Sequence, residues 1–238
     1  MFVVDSHTHS LACGHAYSTV TENARAAKEK GLSAIAFTEH APKLPFAPSD
    51  IFFRNLDVLP KFIEGVRVYR GVELNILAGG EVDLKASVFE DGELEVTIAS
   101  LHTPCYPPNT DVKKNTAAVI GAIKNPNVKI IGHLGDPRYP IYEEEIVRAA
   151  VSYGTLIELN NASFNPKSRR FGAEVCMQKL FLSCAEKEQP IVLGSDSHYC
   201  QNVGNFDKSL EFLGRIHFPR HLIINTSVEM YEKVLCIK

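Results

Sequence analysis

Seven short apolar runs, each followed by a polar or amphipathic stretch, constrain this chain more than any other feature. They fall at 2–4, 34–37, 66–72, 96–101, 128–131, 155–159 and 191–193, and several are rich in Val and Ile. Short unbroken apolar runs of this kind read as strands buried on both faces, the habit of parallel sheets. The stretches between them predict helices over 19–30, 111–124, 142–153, 172–188 and 206–216, with a short terminal helix over 227–235. Their ends carry the expected signals. Gly31 and Gly154 suit C-caps, Asp111 suits an N-cap, Glu143, Glu144 and Glu145 suit a positive helix start, and Pro190 and Pro219 follow helix ends. Strand–helix alternation of this kind means an α/β fold with a mostly parallel sheet, either closed as a barrel or open and doubly wound; periodicity leaves both open. The longest candidate loop is 41–60, with four prolines, and 81–95 reads as a hairpin turning at Asp91-Gly92.

At 238 residues the chain suits one domain over 1–238, and no linker or internal repeat divides it. Hydrophobic residues make up 45% and charged residues 22%, which excludes a disordered chain, a collagen and a coiled coil. No apolar run approaches the ~18 residues of a membrane span, so no membrane association is expected. The net charge of −3 argues against broad binding to extended nucleic acid. The six cysteines form no C-x-x-C pair. They read as passive thiols of a reducing compartment, Cys13 and Cys200 included. The start, with neither a basic segment nor a long apolar core, predicts no secretion signal and a cytoplasmic location.

Of nine histidines, seven sit at or just past the end of an apolar run. His7, His9 and His15 follow the first run and His40 the second. His102, His133 and His198 follow the runs ending at Leu101, Ile131 and Leu193. Glu73 and Asp196 occupy equivalent places, whereas His217 and His221 do not. In parallel α/β folds function gathers where strands end, so these side chains would meet at one rim. His7-Thr8-His9 and Asp196-x-His198 place both members on one side of an extended segment, as two ligands of one ion require. Imidazoles and carboxylates crowded together are costly to bury unless a cation pairs with them, and divalent metals supply it.

These residues resemble the PHP (polymerase and histidinol phosphatase) superfamily, most of all its small stand-alone phosphatases of the YcdX type. The likeness spans essentially the whole chain. It rests on Asp5-Ser6-His7-Thr8-His9, His15, Thr38-Glu39-His40, Gly71-Val72-Glu73-Leu74-Asn75, Leu101-His102, Gly132-His133 and Gly194-Ser195-Asp196-Ser197-His198. All nine metal-ligand positions of the family find the expected residue type. The resemblance implies a distorted (β/α)7 barrel and a centre of three divalent ions, usually zinc, sometimes manganese or iron. It assigns one ion to His7, His9, Glu73 and Asp196, a second to Glu73, His102 and His133, and a third to His15, His40 and His198.

Three divalent ions against two carboxylates leave a centre of about +4, a pocket for a polyanion such as a phosphate monoester. The activity expected is phosphate monoester hydrolysis, with metal-bound hydroxide attacking phosphorus in line and no separate catalytic residue assigned. Arg169 and Arg170, on the loop over 161–172, and Arg138 are the candidates to fork the phosphate, with Lys167 weaker. Asn160 and Asn161 are candidates to orient substrate or support the ligands. The alternatives are a phosphodiesterase or exonuclease acting on small nucleotides, and a C–N amidohydrolase. The partner expected is a small phosphorylated substrate, and association into a homo-oligomer is left open. No G-x-G-x-x-G, P-loop or G-x-S-x-G motif competes.

Overall fold

The computed structural model describes residues 2–91, 93–170 and 172–237. Seven strands run parallel in the order β1 (Val4–Thr8), β2 (Ala34–His40), β4 (Val66–Asn75), β5 (Val96–Ser100), β6 (Ile130–Ile131), β7 (Leu156–Asn160) and β8 (Ile191–Gly194). The two-residue β3 (Phe62–Ile63) pairs antiparallel with β4. The first and last strands nearly close the sheet. Thr8 bridges Ser197, the Asp196 amide donates to the His7 carbonyl and the His9 amide to that of Ser197, both at 2.9 Å. The parallel alternation thus resolves into the distorted barrel of the PHP type.

Helices α1 (Val20–Glu29), α4 (Val112–Ile123), α5 (Glu143–Tyr153), α6 (Ala173–Glu186), α7 (Asp207–Arg215) and α8 (Val228–Val234) lie within a few residues of the expected spans. Asp111 caps Lys114, and Gly31 and Gly154 take φ 76° and 70° beyond α1 and α5, as expected. Thr19 and Glu22 add a capping box that was not expected. Two expectations fail. The stretch 81–95 is no hairpin, because Ala86–Asp91 forms α3 where its first arm was expected, and Gly92 lies outside the described residues. The loop 41–60 contains α2 (Asp50–Arg54).

Strand side chains split into two layers. Ile35, Phe37, Val68, Val72, Ile131, Ile157 and Leu193 pack outward under the helices. Val4, Ala34, Ala36, Tyr69, Val96, Ile98, Ile130, Leu156 and Val192 fill the lumen, sealed by Ile224, Tyr231 and Leu235. The inward positions then change character toward the strand ends, where they turn small or polar: Gly71, Glu73 and Asn75 on β4, Ser100 on β5, Gly132 after β6, Glu158 and Asn160 on β7 and Gly194 on β8. The small residues are required by space: a Cβ on Gly132 would stand 2.3 Å from Ser100 Oγ, and one on Gly194 2.0 Å from Glu158 Oε1. β1 departs from strict alternation. Its register slips between Asp5 and Thr8, which lets His7 reach Glu158 although Val4 already faces the lumen.

Candidate metal centre

All nine expected ligands converge at the C-terminal rim, in three adjacent groups that a further one, His9, His40 and Glu73, ties together. His7, His9 and Asp196 form one, Glu73, His102 and His133 another, and His15, His40 and His198 a third, with donor atoms within 4.8 Å of one another in each. Glu73 stands between them because β2 and β4 pair His40 with Glu73 in register. Its Oε1 lies 3.2 Å from His102 Nε2 and 3.0 Å from His133 Nε2. Its Oε2 lies 3.3 Å from His7 Nε2, 3.4 Å from His9 Nε2 and 2.8 Å from His40 Nδ1. His133 and Asp196 hold left-handed backbones, φ 29° and 54°, a strain found where geometry serves function.

The imidazoles face one another through Nε2. The His7–His9 and His15–His198 pairs are 3.0 Å apart and His102–His133 3.3 Å. Two nitrogens on one tetrahedral zinc would stand about 3.3 Å apart, given bonds of ~2.0–2.1 Å. The opposite nitrogens show which tautomer each ring takes. His15 Nδ1 lies 3.1 Å from the Cys13 carbonyl and His198 Nδ1 3.0 Å from that of Asp196. A carbonyl only accepts, so both rings carry hydrogen on Nδ1, and in the neutral form two bare Nε2 lone pairs face each other. Such a pair is held together only by a cation between them, a proton shared by the two rings or a metal ion. His102 Nδ1 likewise meets Asn75 Oδ1 at 2.7 Å, and His7 Nδ1 meets Glu158 Oε1 at 2.7 Å. Buried His9 Nδ1 has nothing nearer than Glu39 Oε2 at 3.8 Å, and buried His40 Nδ1 and Glu73 Oε2 face each other at 2.8 Å, a polar set whose lone pairs suit a cation.

Electrostatics hold both carboxylates ionised but divide the imidazoles. Burial opposes charge on His7 and His9, yet Glu158 and Glu73 beside His7 and Asp196 beside His9 raise both well above the usual value. Cys13 raises His15, so these three must give up a proton to ligate. Burial would raise the carboxyl of Glu73, but His102, His7 and His40 hold it well below its usual range. Burial likewise opposes ionisation of Asp196, yet His7, His9 and Arg170 hold it well down. Burial pushes His133 and His40 down, and His198 down to about 4, which keeps them neutral.

Three residues that sequence reasoning missed hold the ligands in place. Glu158 accepts from His7 through Oε1, and through Oε2 from the His133 amide at 2.8 Å and Asn160 Nδ2 at 3.2 Å. Asn75 orients His102 while donating to Asp83. Glu39, fully buried, places Oε2 3.8 Å from His9 Nδ1. Glu158 and Asn75 share the inward face with Glu73, whereas Glu39 sits beside Val72 on the other face of β2, and no sequence signal fixes either face before the register is known.

The groups floor a cavity of about 430 Å³ lined also by Arg138, Arg169 and Arg170. Arg170 donates to Asp196 Oδ2 at 2.9 Å and to Ser163 Oγ at 3.2 Å. Arg138 is clamped on Asp136 and reaches Thr103. Arg169 is exposed at the rim. Lys167 is exposed and does not line the cavity. Asn160 donates to Asp196 and so supports a ligand, whereas Asn161 caps Ser209 away from the cavity. His221 pairs with Glu188 at the surface.

A parallel barrel carrying two histidine–carboxylate groups and one all-histidine group on the rim of its strand ends has the architecture of a metal-dependent hydrolase. The PHP domain profile matches residues 5–162. Two similar proteins bear the name "Probable phosphatase". That of Caldanaerobacter subterraneus subsp. tengcongensis is 45% identical over 236 residues, 98% of this chain and 91% of that one. That of Clostridium novyi is 46% identical over 226 residues, 94% of this chain and 91% of that one. The chain belongs to the PHP domain family. Its fold matches histidinol phosphate phosphatase of Lactococcus lactis, solved with zinc, L-histidinol and phosphate, at a TM-score of 0.64 and 20% identity over 91% of this chain and 94% of that one. No helix among the described residues is long and apolar enough to cross a membrane.

Proposed function

We propose that this chain is a metal-dependent phosphatase that hydrolyses small phosphate monoesters. The observation that carries the metal reading is the His15–His198 pair, whose Nε2 atoms face each other at 3.0 Å while both Nδ1 atoms are committed to carbonyls. His7, His9, Glu73 and Asp196 would hold one divalent ion, Glu73, His102 and His133 a second, and His15, His40 and His198 a third. Zinc, manganese and iron all suit imidazole and carboxylate donors. Such ions supply a nucleophile from water near neutral pH and positive charge for phosphate oxygens.

The protein's own groups select and hold the substrate. Arg170, Arg138 and Arg169 line the cavity above the ligands, and a guanidinium matches two phosphate oxygens at once. Arg170 keeps its reach because Asp196 and Ser163 fix its guanidinium and leave further N–H groups for substrate. The cavity volume suits a small ester, and the naming of the relatives as phosphatases agrees with the monoester reading.

The test is hydrolysis of p-nitrophenyl phosphate by protein stripped with chelator and refilled separately with zinc, manganese or iron. Restored turnover that is lost in His7→Ala and Glu73→Ala supports the reading. A preference for bis-p-nitrophenyl phosphate would replace it with a phosphodiesterase. Inactivity on both esters with the metal groups filled would refute it.

A further inference from the structure

Cys13 is unused in the account so far, yet its setting is unusual. It ends the short 3-10 turn Leu11–Cys13, held by Ser10 at its start and Gly14 at its end, and is fully buried. Its sulfur groups with one ring nitrogen each of His9 and His198, all within 4.8 Å of one another. A second observation points to a ligand there. His9 commits Nε2 to the His7–Asp196 side, while its buried Nδ1 makes no hydrogen bond and has Glu39 Oε2 no nearer than 3.8 Å. His198 differs, because its Nδ1 is engaged by the Asp196 carbonyl and only Nε2 is left to give. That Nε2 is the same atom that faces His15.

We infer that His9, Cys13 and His198 form an additional site for a thiophilic ion, one that competes with the His15–His40–His198 group for His198. The inference rests on the metal reading of the rim and adds a soft donor to it. A thiolate with imidazoles selects ions such as Cd²⁺, Cu⁺ and Zn²⁺ over Mn²⁺. Binding releases the thiol proton to solvent, and the sulfur lone pair forms the new bond to the ion; His9 gives the Nδ1 lone pair by carrying its hydrogen on Nε2, so it too leaves the first group. Because His198 has one free nitrogen, an ion held by Cys13 draws that ligand away from the third group. A soft ion at this place therefore inhibits.

The experiment titrates Cd²⁺ into chelator-stripped protein and follows the ultraviolet charge-transfer band of a cadmium–thiolate bond. Bound cadmium is counted by equilibrium dialysis. Wild type and Cys200→Ser should develop the band, and Cys13→Ser should lose it while keeping its circular dichroism. Half-inhibition of the zinc-loaded enzyme should need at least about tenfold more Cd²⁺ in Cys13→Ser, the scale on which losing a ligand-shell group weakens a site. X-ray absorption fine structure of cadmium-loaded wild type should show sulfur scattering, a readout that needs no variant. Cadmium bound without a sulfur signal, or a band that survives Cys13→Ser, overturns the Cys13 site and leaves the histidine–carboxylate groups standing. Failure to bind any cadmium overturns both.

Discussion

Replacing Glu158 with Gln should weaken metal binding although Glu158 is assigned to no ion. Its two oxygens receive three donors: His7 Nδ1 at 2.7 Å, the His133 amide at 2.8 Å and Asn160 Nδ2 at 3.2 Å. A glutamine offers one accepting oxygen and one donating NH₂. If its oxygen keeps His7, its NH₂ confronts the His133 amide in a fully buried place. If the amide flips, His7 must shift its hydrogen to Nε2 and lose the lone pair that faces His9. A buried donor left unmatched costs about 1–3 kcal/mol. Loss of a partner that orients a metal-ligating histidine typically costs 10–100-fold in affinity, about 1.4–2.7 kcal/mol. The two routes agree in size. Zinc titration of chelator-stripped protein by calorimetry, with circular dichroism to confirm the fold, should show the tightest class weakened by that factor in Glu158→Gln. Affinity within twofold of wild type would refute the claim that Glu158 positions His7 and His133.

Two further outcomes follow from contacts at the rim. Arg170→Ala should lower kcat/KM for a phosphate monoester about 10–100-fold, the range of one lost charge-assisted contact of ~1.5–3 kcal/mol. Metal content measured alongside separates this from loosened Asp196, and an unchanged kcat/KM would remove Arg170 from the substrate site. Gly194→Ala should destabilise by about 1–3 kcal/mol, because the added Cβ would stand 2.0 Å from Glu158 Oε1 and 2.7 Å from His7 Cβ. Gly214→Ala is its control: nothing lies within 4 Å of the added methyl in helix α7, so stability should rise by about 0.5–1 kcal/mol. Thermal unfolding reads both, and equal shifts in the two variants would contradict the packing described.

The positions of Glu73, His102, His133 and Asp196 were legible because each follows a recognisable apolar run, and parallel strands bring such ends to one rim. The seven-run alternation was legible for the same reason, though only the family resemblance, not periodicity, chose the closed form. Glu158 and Asn75 were hidden. Each sits inside a strand, where a polar residue between apolar neighbours carries no mark of which face it takes until the register is known. The slip in β1 that turns His7 inward has no sequence signature at all. Arg138 and Arg170 were found as cations near the rim, but their clamps on Asp136 and Asp196 are tertiary contacts that spacing could not supply. The hairpin at 81–95 failed because a local turn pair does not decide whether the residues before it extend or coil, and Ala86–Asp91 coils into α3.

The central claim is that Glu73 stands between metal ions held by the histidine groups around it. Anomalous diffraction at the zinc absorption edge, from crystals of zinc-loaded protein, tests this most directly. The account predicts peaks on both sides of Glu73, one against His102 and His133 and one against His7, His9 and Asp196, with a third among His15, His40 and His198. A zinc-replete crystal with no peak within bonding distance of Glu73 would contradict it.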